Sequence, residues 1–207
     1  MISEIKTVLL STAYLAPVEY YRQMNTHSQV IIEQHCNYIK QTYRNRCVIA
    51  SANGVQTLSI PIVKPDSPKC LTKDIRIAEH GNWRHLHWNA IVSAYNSTPF
   101  FEYYSDDFRP FYEKPQHFLF DFNETLRELI CSLLDILPKI SYSNQYVTEI
   151  PKNTLDLREA IHPKKETGDS NLKPYYQVFK DKYGFQANLS IIDLLFNMGN
   201  EAVIFLR

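Results

Sequence analysis

Residues 37–46 read Asn-Tyr-Ile-Lys-Gln-Thr-Tyr-Arg-Asn-Arg, and every side chain but that of Ile39 carries a hydrogen-bonding group. Guanidinium forks suit phosphate or carboxylate, and an ammonium adds a compact point charge. Lys40, Arg44 and Arg46 therefore form a candidate set for binding an anionic small molecule, with Asn37 and Asn45 as orienting amides. A charged edge strand that discourages aggregation is the competing explanation. His87 is the candidate proton carrier, because an unperturbed imidazole titrates near neutrality. A hydrogen-bonded histidine at the core edge would look the same. His80, His85 and His87 invite a metal reading, but on a helix His85 and His87 point to different sides, so no metal is expected. Asp106 and Asp107 could act on a hydroxyl or amine, and turn formation accounts for them equally.

The elements that must hold these groups follow from patterning. Residues 7–11 read as a short buried strand. A helix then opens at Pro17, where a missing N–H costs nothing, and Val30, Ile31 and Ile32 form a second strand. That spacing predicts a βαβ start with parallel pairing. Asn53-Gly54 signals a hairpin. Counting outward from it pairs Ile49 with Leu58, Cys47 with Ile60 and Asn45 with Ile62, and leaves Lys40, Arg44 and Arg46 as a basic ridge on the opposite face. Asn82 can cap a helix running to about Tyr95. Residues 99–115 read as aromatic and irregular. Asp121 with Glu124 looks like a capping pair for a helix whose stripe runs from Leu126 to Leu137. Residues 151–173 read as a mobile polar loop, Pro174 as the start of a helix ended by Gly184, and Ser190 with Asp193 as a capping box before a helix stopped by Gly199. The fold class is thus α/β, a mixed sheet with a βαβ start and an antiparallel hairpin, packed by helices in a single domain over residues 1–207.

Bulk composition narrows the function classes. With 207 residues, 44% hydrophobic and 21% charged, the chain can bury a substantial core. Its 22 basic and 22 acidic side chains cancel, which disfavours nucleic acid as a partner. Cys36, Cys47, Cys70 and Cys131 show no metal-type spacing and read as packed thiols. No stretch reaches the ~20 apolar residues of a membrane span, and the expected location is cytoplasmic. Nucleophile-elbow, P-loop and dinucleotide fingerprints do not occur, and no cofactor is expected.

Several of these pieces together resemble the WbqC-like family of bacterial proteins over most of the chain. They are residues 14–21, the block Lys40-x-Thr42-x-x-Asn45-Arg46, Leu58-x-Ile60-Pro61-Ile62, and Asn82-Trp83-x-x-x-His87 followed by Tyr95. Near the end come Tyr176-Gln177-x-Phe179 and the run from Leu189 to Gly199 that contains Asp193. The chain is most similar to the short form seen in Bacteroidetes-type bacteria. Longer members carry an extra Gly-containing segment before the C-terminal block, and tend to have glutamine where Asn37 stands. The resemblance implies a link to cell-surface polysaccharide (O-antigen type) biosynthesis, with transfer of an amino-acyl or similar group onto a sugar. It adds Tyr14 and Gln177 to the substrate-binding set and Asp193, with His87 and Asn45, to the catalytic one. The segment Thr12-Ala13-Tyr14-Leu15-Ala16-Pro17 is also similar to the first βα unit of HIGH-type nucleotidyltransferases, but the first histidine here is His27. The expectation is a transferase acting on a nucleotide-sugar or acyl donor. A noncatalytic binding or assembly subunit of a glycan-synthesis complex, with partner proteins from that complex, is the second expectation.

Overall fold

The computed structural model describes residues 6–67, 69–165 and 172–207. Strand β1 (Thr7–Ser11) leads into helix α1 (Val18–Thr26) and strand β2 (Gln29–Glu33), and β1 and β2 pair in parallel, as the sequence predicts. Strands β5 (Ile140–Tyr142) and β6 (Thr154–Asp156) complete a four-stranded parallel sheet in the order β5-β2-β1-β6. Val8, Leu9 and Leu10 of the central strand are fully buried, because a parallel sheet is covered on both faces. Strand β6 falls inside the stretch expected to be a mobile loop. The rest of that stretch includes residues 166–171, which lie outside the described residues.

The hairpin, β3 (Arg46–Ser51) with β4 (Gly54–Ser59), stands as its own two-stranded antiparallel sheet. Its pairing differs from the expected one: Cys47 faces Leu58 and Ile49 faces Gln56. The turn residues are Ala52 and Asn53, and of the turn only Gly54 has positive φ, at 104°. A glycine-closed turn of this kind replaces the expected one that needs two positive φ values. Because the slip is two residues, the faces survive, and Cys47, Ile49, Leu58 and Ile60 are all buried.

The helices are α2 (Trp83–Tyr95), α3 (Phe101–Glu113), α4 (Leu119–Leu133), the short α5 (Lys180–Tyr183) and α6 (Ile191–Met198), followed by a 3-10 segment (Gly199–Leu206). Helix α3 corrects the expectation of an irregular segment. Phe101, Tyr104, Phe108 and Tyr112 form its buried stripe, Pro110 sits in its last turn, and Asp106 and Asp107 are exposed on its outer face. The side-chain caps do not form. Asn82, Phe118 and Ser190 precede their helices without a capping bond. Glu124 instead reaches back to accept from Thr12 Oγ1 (2.9 Å) and pairs with Arg127 (2.8 Å). The Ser190 hydroxyl donates to the Leu15 carbonyl at 2.8 Å.

Candidate functional site

Strand order in the parallel sheet reverses at β1. The chain proceeds from β1 to β2 and β5 on one side, and later returns to β6 on the other. In open α/β sheets such a switch point opens a crevice at the carboxyl ends of the strands, where ligands bind. Here that crevice is framed by Ser11 at the end of β1, by Thr12 and Ala13 after it, and by Leu157, Arg158, Ile161 and His162 after β6. Arg44 enters it from the turn before β3. Its guanidinium donates to Ser11 Oγ (2.9 Å), Glu159 Oε1 (2.8 Å), Thr42 Oγ1 (3.4 Å) and the Cys36 sulfur (3.6 Å). The Arg44 side chain is 2% exposed while Glu159 is 50% exposed, so one partner is fixed and the other faces solvent. Burial alone would lower the guanidinium pKa, but Cys36 and Glu159 raise it above the ordinary arginine value, so the charge is kept.

Glu33, fully buried at the end of β2, organises the surrounding loops. It accepts from the backbone of His35 (2.8 Å) and Val147 (2.9 Å), the Ser143 hydroxyl (2.7 Å) and Arg158 (3.3 Å). The space within this crevice is about 20 Å³, and Cys36 and Glu159, which bond Arg44, also line a separate cavity of about 520 Å³ with His35, Asn37, Ile39 and Tyr146. A second cavity of about 270 Å³ shares Cys36, Tyr146 and Glu159 with it and is also lined by Arg158 and Lys165. His162, beside Arg44, has its pKa lowered chiefly by burial; Glu159 opposes the shift and Lys165, Lys164 and Arg44 add to it, which favours the neutral base.

The expected site residues divide among several places. Arg44 belongs to this crevice, and Asn37 lines the separate cavity of about 520 Å³. Lys40 is exposed on a turn, and Gln41 beside it has φ 61°. Strand β3 begins only at Arg46, so the expected basic strand ridge does not form. Asn45 Nδ2 donates to the Ile60 carbonyl at 2.9 Å and prolongs the hairpin. Arg44 Nε, Asn45 Oδ1 and Arg46 Nε are nonetheless buried without a partner among the described residues, in three successive positions. Tyr38 lies near both Arg44 and Arg46. Burial pushes its hydroxyl up to about 12, and the two cations oppose the rise.

Tyr14 and His87 sit together elsewhere. Tyr14 Oη lies 3.0 Å from His87 Nδ1 and 2.8 Å from Tyr112 Oη. His87 also bonds the Ser59 backbone, and desolvation pushes its pKa down to about 4. A neutral ring that donates to the Ser59 carbonyl must accept at Nδ1. That polarity makes Tyr112 donate to Tyr14 and Tyr14 donate to His87. His87 is 5% exposed and enclosed by this chain. Asp193 and Gln177 form a third cluster: the fully buried Asp193 accepts from Tyr175 Oη (2.7 Å) and Gln177 Nε2 (2.8 Å), and burial raises its pKa. It joins the C-terminal segment to α6. The residues that sequence reasoning missed are Ser11, Glu33, Arg158, Glu159 and His162. A weak signal existed in Leu155 and Leu157 alternating with Asp156 and Arg158, a short strand pattern running into charge.

Among the described residues no group of three or more His, Cys, Asp and Glu could hold a metal, and no helix is long and apolar enough to cross a membrane. A model of the WbqC-like protein family matches residues 12–170, a span that contains Arg44, Glu159 and His87 but ends before Gln177 and Asp193. An uncharacterized Mycobacterium tuberculosis protein, Rv1507c, is 25% identical over 227 aligned residues, covering 98% of this chain and 97% of that one. No solved structure matches the chain significantly.

Proposed function

We propose, from the premise that this chain belongs to the WbqC-like protein family, that it is a transferase in bacterial cell-surface polysaccharide biosynthesis. It would take an anionic, activated donor, a nucleotide-sugar or acyl donor, in the cavity of about 520 Å³ that Cys36 and Glu159 line beside Arg44. A cytoplasmic location, where such donors are made, fits this role. The observation that carries it is Arg44: a buried, permanently charged fork whose counter-ion is a half-exposed carboxylate. An incoming phosphate or carboxylate can take the place of Glu159 without desolvating a new cation. Ser11 would hold the Arg44 fork in place, and His162 would accept the proton of the attacking hydroxyl or amine. In this reading His87 and Asp193 belong to the scaffold, where they bond Tyr14 and Tyr175.

The experiment is thermal shift and calorimetry across nucleotides, nucleotide-sugars and acyl carriers. A ligand present at 100 times its Kd should raise stability by about 2.7 kcal/mol. Arg44→Lys, which keeps the charge but loses the fork, should abolish that gain while retaining the fold. Stabilisation by no anion at all, or full retention in Arg44→Lys, would sink the proposal. A purely structural assembly role would draw support from an exposed aromatic face on α3. Phe101, Tyr104, Phe108 and Tyr112 are instead turned inward, and Tyr103 (76%) is the strongly exposed one.

A further inference from the structure

Between the start of α2 and the end of α3 lies a cleft of about 490 Å³. Both tryptophans of the chain, Trp83 and Trp88, line it. Trp88 stacks on Tyr112 at 29° with ring centroids 5.6 Å apart, and of Trp83, Trp88 and Tyr112 it is Trp88 that is partly exposed to the cleft. The charges around it cancel. Arg84 is clamped by both carboxylate oxygens of Glu79 and lies 4.7 Å above the Trp83 ring, and Arg109 donates to Glu113 at 2.6 Å. A phosphate entering here would meet two carboxylates. Asn89 and His85 share a 2.9 Å hydrogen bond on the same rim. The Trp83 indole N–H and Arg84 Nε are buried and have no acceptor among the described residues.

We infer that this cleft binds a neutral sugar residue. The C–H face of a pyranose stacks on an apolar ring, while guanidinium, carboxylate and amide groups offer paired donors and acceptors to adjacent hydroxyls. The internally paired charges select a polyhydroxyl ligand over an anion, the opposite of the Arg44 crevice. That the bound sugar is the acceptor of the transfer rests on the proposed function; sugar binding itself does not.

The two tryptophans make intrinsic fluorescence a direct reporter of the cleft. Glucose, galactose, mannose, N-acetylglucosamine and their disaccharides, all free of phosphate, are titrated into the full chain without nucleotide, with saturation-transfer NMR in parallel. A saturable emission change is expected for at least one. Trp88→Ala should weaken it by about tenfold and Trp88→Phe by less. Arg44→Lys should leave it unchanged. Circular dichroism checks each variant. If Trp88→Ala misfolds, Asn89→Ala and Arg109→Ala on the exposed rim replace it and should each weaken binding severalfold. No saturable response from any sugar, binding unaffected by the cleft variants, or loss of the response in Arg44→Lys would each overturn the inference. Anion binding without sugar binding would leave the proposed donor site standing alone. Sugar binding without an anion effect would leave only the cleft.

Discussion

The Arg44 crevice and the His87 pocket both bury polar side chains behind tight hydrogen bonds, yet they differ in what the last partner can do. In the His87 pocket every bond ends on a group that the fold itself holds: Tyr112 to Tyr14, Tyr14 to His87, and His87 to the backbone of Ser59 in β4. In the crevice the chain of contacts ends on Glu159, half of which faces solvent. A closed chain fixes packing, because opening it strands a buried donor or acceptor. A chain that ends on a solvated ion can exchange that ion for a ligand at small cost. Burial alone therefore does not separate a binding residue from a structural one; the exposure of its partner does.

The largest expected effect lies at Arg44. Removing it with Arg44→Ala deletes a fully packed side chain and leaves Ser11 and Thr42 without their charged donor, at a cost of about 3–4 kcal/mol in urea unfolding. The loss stays moderate because Glu159 can solvate. A cost below about 1 kcal/mol would break the contrast between a fixed and an exchangeable partner.

Next comes the pH response of His87. Its folded pKa is near 4, below the unfolded value of 6.5, so the unfolded chain binds the extra proton between those two values. Stability should then fall as pH falls, by about 1 kcal/mol at pH 5.5 and about 3 kcal/mol near pH 4. His87→Gln should flatten this part of the pH profile; a profile as steep as in the parent would place the response elsewhere. Tyr14→Phe follows at about 2 kcal/mol, since it strands both His87 Nδ1 and the Tyr112 hydroxyl. Nucleotide binding, measured under conditions where the variant is folded, should be unchanged.

How much of this was legible follows from the range of each interaction. Strand β1, the parallel βαβ start and the extent of α2 could be read because their signals are local. Helix α3 was hidden by Pro99, Pro110 and Pro115, although Phe101, Tyr104, Phe108 and Tyr112 keep helical spacing. Pro110 is tolerated in the last turn because it removes a single backbone bond there. The polar run at residues 37–46 held the central arginine, but as turns, so its cations do not line up at period two. Glu124 and Asp193 looked like caps and are buried acceptors, because their partners Thr12 and Tyr175 are distant in sequence. Glu159 and Glu33 gained their parts only through strand order, which no spacing encodes.

The smallest stability effect should come from Glu159→Gln, and it tests the comparison most sharply. The amide keeps an acceptor near Arg44 while removing the competing charge. Because the carboxylate is half exposed, unfolding free energy should change by less than about 1 kcal/mol. Affinity for an anion should rise, with sulfate or a nucleotide binding about three- to tenfold more tightly by calorimetry. The rise should shrink with added salt, as the removed interaction is electrostatic. If the variant instead loses several kcal/mol, Glu159 is as structural as Tyr14 and the crevice is closed like the His87 pocket. If stability holds but anion affinity falls, Glu159 contacts the ligand as a partner and does not stand in for it.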